Sequence, residues 1–186
     1  EIPPSPAAST SSAATGLLQG TPSTIPTLND PRRSQYILPA EIDQEIAQVI
    51  LLALQQRLGY PPPSGELFFS YVLFAPPQKG PAGVITAYLY TRFHAFYVDQ
   101  GELKQGGGGS LPVALSLHKL ENGWHVELKR PIPGNQWASS IQEIFPEVML
   151  PLIFDSPPIP YDQIEKDIIR QAQDHYGLVF DPVKNS

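Results

Sequence analysis

The alternation of side chains between Glu66 and Arg130 constrains the fold of this chain more than any other feature. In ELFFSYVLF and in the 16-residue segment GVITAYLYTRFHAFYV, aromatic and β-branched residues recur with a period of two, which is typical of β-strands. The segment PPQKGPAG between them has the composition of a turn. The sequence therefore predicts two strands, the second long enough to be bent or bulged at its middle.

The two faces of the long strand differ in polarity. One face carries tyrosines, an arginine and a histidine, namely Tyr88, Tyr90, Arg92 and His94. The other face, with Ala87, Leu89 and Phe93, is more evenly apolar and is predicted to face the core. A polar-aromatic face on a curved sheet can line a pocket, so the first four residues are the candidate ligand-binding residues. The alternative is a half-buried face whose rings pack while their polar tips stay in water.

The segment LPVALSLHKLENGWHVELK is predicted to form a β-hairpin. The Asn122-Gly123 dipeptide is preferred in two-residue turns, and a turn centred there pairs Leu117 with Leu128 and His118 with Glu127. In this register the apolar residues of both strands lie on one face, and a slip of one residue would separate them.

Four consecutive glycines, from Gly106 to Gly109, stand between the long strand and this hairpin. Glycine weakens strands because it costs backbone entropy and offers no side chain to pack. We therefore predict a loose loop within one sheet. A boundary between two domains is disfavoured, because no helix or cap completes a separate unit before Gly106.

Two longer segments have the period of an amphipathic helix. The first begins near Pro39, stops at Gly59 and carries an apolar stripe made of Ile42, Ile46, Val49, Ile50 and Ala53. The second, YDQIEKDIIRQAQDHYG, carries a stripe made of Ile164, Ile168, Ala172, His175 and Tyr176 and stops at Gly177.

A third, short helix is expected before Pro146, with Ser140 and Glu143 as its capping box. The order is an N-terminal helix, then a curved antiparallel sheet of about four strands, then C-terminal helices. This layout predicts an α+β fold of the cystatin-like or NTF2-like kind.

The chain divides into a tail, one domain and a short end. Residues 1–33 are rich in Pro, Ser and Thr and are expected to form a disordered tether, because they hold too few large apolar groups to offset the entropy of ordering. Residues 34–180 form a single predicted α+β domain, and residues 181–186 a tail.

Charge and composition exclude several classes of function. The net charge of −6 and the pI of about 5.1 argue against nucleic-acid binding, which needs a basic surface. They also argue against docking on anionic membranes, so membrane contact is expected only through the N-terminal tether. The chain has no cysteine and hence no disulfide, thiol nucleophile or thiolate metal site.

Sequence motifs for catalysis or metal binding are lacking. The four histidines show no HExxH or HxxxH spacing, and no GxSxG nucleophile elbow occurs. His118 and His125 are close together in the predicted hairpin and offer a surface metal or proton site. A solvated sheet face with a mild cross-strand pair is the favoured interpretation. We accordingly expect no catalytic residue, no metal and no cofactor.

The serial order of several motifs resembles a known family. AYLYTRFHAFYV, GGGGSLPVALSL, ENGWHVEL, RPIPGNQWASSI and IFP follow one another between about Leu67 and Leu152. This order is similar to that of an extracytoplasmic domain of unknown function in Gram-positive bacteria. That domain occurs in secreted or lipid-anchored proteins and in membrane metallopeptidases of the beta-lactam-sensor type. The resemblance implies an extracytoplasmic location and transfers no site residue. Pro133-Gly134 departs from the Asp-Gly usual in the family.

Three functions remain open at this point. The first is a non-catalytic extracytoplasmic module that binds a protein, a peptide or a small ligand on its sheet. The second is an NTF2-like enzyme that uses His94 with a nearby carboxylate as acid and base. The third is a cystatin-like peptidase inhibitor, although the chain has no QxVxG segment.

Overall fold

The computed structural model has an α+β fold with helices on both faces of one antiparallel sheet. It describes residues 36–59, 62, 65–155 and 159–182. The predicted tether at 1–33 lies outside these residues. The sheet has five strands, and its main path runs β1 (Glu66–Leu73), β3 (Ile85–Asp99), β4 (Glu102–Leu120) and β5 (Gly123–Lys129). The fifth strand, β2 (Gln78–Lys79), pairs with β3 inside the segment predicted as a turn.

The first helix, α1 (Gln44–Leu58), begins later than predicted. Pro39–Glu41 form a separate 3₁₀ turn, in which the Glu41 carboxylate accepts a 2.7 Å hydrogen bond from Leu38 N–H. Asp43 then caps α1 by accepting from Ile46 N–H at 3.1 Å. The cap satisfies one of the four N–H groups that a helix start leaves unpaired.

The sheet separates two hydrophobic cores. On one face, α1 contributes Ile50, Leu54 and Leu58, which pack against odd-numbered residues of β1 and β3. On the other face lie α2 (Trp137–Ile144), α3 (Leu150–Phe154) and α4 (Tyr161–Tyr176), which cover even-numbered residues of the same strands. Because neighbouring side chains alternate between faces, one strand serves both cores. The predicted core face of β3 is confirmed, and the opposite face is covered as well.

The prediction of a loop at Gly106–Gly109 is wrong. These glycines lie within the 19-residue strand β4. The chain turns back earlier, between Asp99 and Glu102, with Gln100 at φ +50° and Gly101 at φ +78°. Positive φ at both central residues is the geometry of a type I′ hairpin turn, and Gln-Gly is not among the dipeptides that signal it.

The glycines make room for the rings of the neighbouring strand. Gly108 pairs with His94 and Gly109 with Phe93. A Cβ atom on Gly108 would lie 2.4 Å from both the His94 Nδ1 atom and the Phe93 carbonyl oxygen, and one on Gly109 would lie 2.9 Å from the Phe93 ring. The register shifts beside His94, where Gly106 and Gly107 stand opposite a single residue of β3. This is a β-bulge, which re-aims nearby side chains.

The register predicted for the second hairpin is wrong by two residues. Leu117 pairs with Val126, and His118 pairs with His125. The turn is centred on Glu121-Asn122 instead of Asn122-Gly123, and Gly123 takes the positive φ of +125°. Because a shift of two residues keeps every side chain on its face, the predicted core face remains correct.

The C-terminal helices end where the sequence predicts, but the predicted N-terminal cap of α2 is wrong. α2 ends at Ile144, before Pro146, and α4 ends at Gly177 with φ +66°. Ser140 lies inside α2 instead of capping it. Its hydroxyl donates to the Trp137 carbonyl and accepts from Ile132 N–H, both at 2.9 Å.

We predict that Gly108→Ala lowers the free energy of unfolding by about 1–3 kcal/mol, the usual range for overpacking. The new methyl group would collide with the Phe93 backbone, which cannot move without disturbing the β3–β4 ladder. Gly107→Ala is the matched control, because no atom lies within 4 Å of its Cβ position, and we expect a change within about 0.5 kcal/mol. Urea denaturation of both variants measures the difference. Equal stabilities would contradict the packing described for the glycine run.

Candidate functional site

The four candidate residues lie together on one face of β3, and α4 crosses over that face. Tyr88 belongs to the neighbouring core, since its half-buried ring packs against Phe145 with centroids 5.7 Å apart. Tyr90, Arg92 and His94 instead meet polar side chains of α4 and β4. The structure therefore brings three of the four into a polar cluster and places Tyr88 in the adjoining core.

Three hydroxyl groups meet at the edge of this cluster, and the Tyr90 hydroxyl lies between the other two. This hydroxyl donates to Ser110 Oγ at 2.7 Å and lies 3.3 Å from the Tyr161 hydroxyl. Burial and the hydrogen bond with Tyr90 raise the pKa of Tyr161 to about 12. Tyr161 is therefore neutral at physiological pH, and its hydroxyl can donate or accept a hydrogen bond.

Arg92 is held from two sides. Its Nε atom donates to His94 Nε2 at 2.9 Å and lies 3.0 Å from Glu165 Oε2. Its guanidinium carbon lies 5.6 Å from the centre of the Tyr161 ring, within the range of a cation–π contact. The terminal N–H groups of Arg92 find no hydrogen-bond partner among the described residues, and its side chain is 31% exposed. The guanidinium is thus held at its Nε atom, while its two terminal nitrogens, the fork of the side chain, are available to a ligand.

His94 is half-buried and engaged at both ring nitrogens. Nε2 accepts from Arg92, and Nδ1 lies 2.9 Å from the Gln105 side-chain amide. Burial lowers the pKa of His94, and the positive charge of Arg92 acts in the same direction, while Glu165 opposes them. The ring is therefore neutral near pH 7.

Glu165 Oε2 is a buried carboxylate oxygen without an aligned donor in the described part of the chain. It lies 3.3 Å from His94 Nε2, and the Arg92 Nε–H vector points at His94 and not at this oxygen. The attraction between Arg92 and Glu165 is thus electrostatic at short range without a good hydrogen bond. Such charge pairing supports a buried carboxylate.

An open cleft of about 430 Å³ lies beside the cluster. Its lining combines two cations, two carboxylates, one aromatic ring and one aliphatic residue: Arg92, Lys166, Asp162, Glu165, Tyr161 and Ile169. His94 does not line it. A ligand in this cleft would meet the fork of Arg92 and would not touch the imidazole.

A larger groove of about 670 Å³ lies between α1 and α4, at the outer edge of β1. Ile37 pairs with Leu73 in a single bridge there, and Pro39, which has no N–H to donate, ends the pairing. The floor at Tyr71 is only 2% exposed. Arg170 at its rim is paired with Asp167 and Asp174. The arginine of this groove therefore has acidic partners on its own helix.

Sequence reasoning missed the partners that α4 supplies. Tyr161 and Glu165 are one helical turn apart and border the buried stripe of Ile164 and Ile168. That spacing shows that the two side chains share a side of α4. The sequence did not indicate which strand α4 packs against.

Comparison with known protein families, with characterised proteins and with solved structures gives no significant match to this chain. Within the described residues, no helix is both long and apolar enough to cross a bilayer.

We predict that His94 makes the protein less stable in acid. Its pKa is lowered in the folded state relative to the ordinary value of 6.5, so the unfolded chain binds more protons as the pH falls below about 6.5. Stability therefore increases with pH through this window and is lost on acidification. In His94→Gln, the decrease in unfolding free energy between pH 7 and pH 5 should be smaller than in the parent.

Chemical denaturation at a series of pH values measures this difference. His175→Gln is the control, because the His175 side chain is 45% exposed. Parallel stability curves for the parent and His94→Gln would show that the burial of His94 is not linked to protonation.

Proposed function

We propose that this protein is a non-catalytic binding module whose ligand site is the cleft beside Arg92. The observation that carries the proposal is the state of the guanidinium. Its Nε atom contacts His94 and Glu165, and one face of the guanidinium lies against Tyr161. Arg92 lines the cleft, and its terminal nitrogens have no hydrogen-bond partner among the described residues. A pre-positioned fork loses little entropy when it binds, which favours affinity.

The ligand that fits this fork best is a small molecule carrying a carboxylate. The two terminal nitrogens of arginine match the two oxygens of a carboxylate in a planar, bidentate pair. Lys166 on the cleft wall offsets one of the two cleft carboxylates, Asp162 and Glu165, and the Tyr161 hydroxyl offers a donor nearby. The cleft volume of about 430 Å³ is within the range of small-molecule sites.

An enzyme that uses His94 as acid and base is the weaker proposal. Glu165 Oε2 lies 3.3 Å from the ring, as such a mechanism requires. A general base must, however, reach the proton it removes. Both nitrogens of His94 are engaged by Arg92 and Gln105, and the side chain is 12% exposed.

The extracytoplasmic location, the N-terminal tether and the family resemblance remain parts of this proposal. The cystatin-like or NTF2-like relationship does as well. It is supported by α1, which packs on one face of the antiparallel strands. The helices on the other face are an addition to that layout, and one of them, α4, forms a wall of the proposed site.

We predict that small carboxylates bind at Arg92 and that Arg92→Lys weakens their binding at least about tenfold, which corresponds to about 1.4 kcal/mol. Lysine keeps the charge but loses the planar fork. Titration of the isotope-labelled protein with acetate, succinate and free amino acids, followed by NMR, measures the dissociation constants. Inorganic phosphate tests whether the site selects carboxylates.

Arg130→Lys is the matched control, because Arg130 is exposed and lies outside the cleft. Its dissociation constants should equal those of the parent. Equal binding by Arg92→Lys, or chemical shift changes remote from Tyr161 and Lys166, would overturn the assignment of the site.

A further inference from the structure

The outer face of the β4–β5 hairpin holds two histidines opposite each other. His118 and His125 form a direct cross-strand pair, with ring centroids 6.2 Å apart and ring planes inclined at 67°. The sequence alone predicted Glu127 opposite His118, and the two-residue change of register replaces that carboxylate with a second imidazole.

The end of this hairpin is anchored to α1 from its other face. Glu45 on α1 accepts from Lys119 Nζ at 2.7 Å and from Trp124 Nε1 at 2.9 Å. Lys119 and Trp124 form the cross-strand pair next to the histidines. The histidine pair therefore stands on two strands whose separation is fixed by the backbone ladder and by this contact with α1.

The distance between the rings suits a shared metal ion. A metal bound to an imidazole lies about 2.0–2.1 Å from the nitrogen, so two rings on one ion have centroids roughly 5–6 Å apart. Small side-chain rotations bring His118 and His125 to this distance. Glu127 Oε1 lies 3.9 Å from His125 Nε2 and supplies negative charge beside the position of a cation.

We propose that His118 and His125 chelate a divalent transition metal ion of the kind that prefers imidazole ligands. Zn²⁺, Ni²⁺ and Cu²⁺ belong to this class, and Cu²⁺ should bind most tightly. In the described residues no group of three or more metal-binding side chains converges, so water completes the coordination. The site is independent of the Arg92 cleft and of any ligand bound there.

Binding at this site should stabilise the folded protein. The ion joins β4 to β5 close to their turn, and the unfolded chain no longer holds the two imidazoles side by side. A ligand that prefers the folded state raises the melting temperature in proportion to the logarithm of its concentration.

The test is a titration of the full chain with Zn²⁺, followed by calorimetry and by NMR. We expect the largest shifts at His118, His125 and Glu127, and a melting temperature that rises with Zn²⁺ concentration. His118→Gln or His125→Gln should each weaken binding about 100-fold, since a single imidazole loses the advantage of two linked ligands.

His175→Gln is the matched control, because it removes an exposed histidine that stands apart from the pair. It should bind Zn²⁺ as the parent does. Circular dichroism verifies that the variants fold. Unchanged affinity in the His118→Gln/His125→Gln double variant would overturn the proposal, and so would Zn²⁺ binding without any shift in the β4–β5 hairpin.

Discussion

The packing of helices against both faces of β3 is the constraint on which the rest of this structure depends. Odd-numbered residues such as Leu89 enter the core beneath α1, and even-numbered residues face α2 and α4. Because the strand is covered on both sides, neither face can be fully polar. The polar residues Arg92 and His94 must therefore find partners inside the fold, and α4 provides the carboxylate of Glu165.

The glycine run in β4 leaves the space that the aromatic and imidazole rings of β3 occupy. His94 and Phe93 lie across the strand from Gly108 and Gly109, where any side chain would occupy their space. Glycine in a strand interior is unfavourable by itself, and often marks a close approach by another group. Here the approaching groups are the rings, so the same residues that weaken the strand allow the imidazole to reach Arg92 and Gln105.

Local patterns predicted the helices and faces but not the pairing between strands. The stripe of α4 and the stop at Gly177 are properties of neighbouring residues, and the structure confirms them. The hairpin register failed by two residues because a two-residue shift leaves the apolar pattern unchanged. The glycine loop failed because the rings that fill the space above Gly108 belong to a different strand. For the same reason the sequence predicted the residues that β3 contributes to the polar cluster but not Glu165, which belongs to α4.

The polar cluster is better explained by binding than by stability. Replacing a buried ion pair by well-packed apolar residues is often neutral or stabilising, and Ile164 and Ile168 of α4 already pack against the sheet through apolar contacts. Glu165 Oε2 has no aligned donor among the described residues, and Arg92 lines an open cleft. Unsatisfied polar groups of this kind concentrate at functional sites, which is why the Arg92 cleft is the site that we propose.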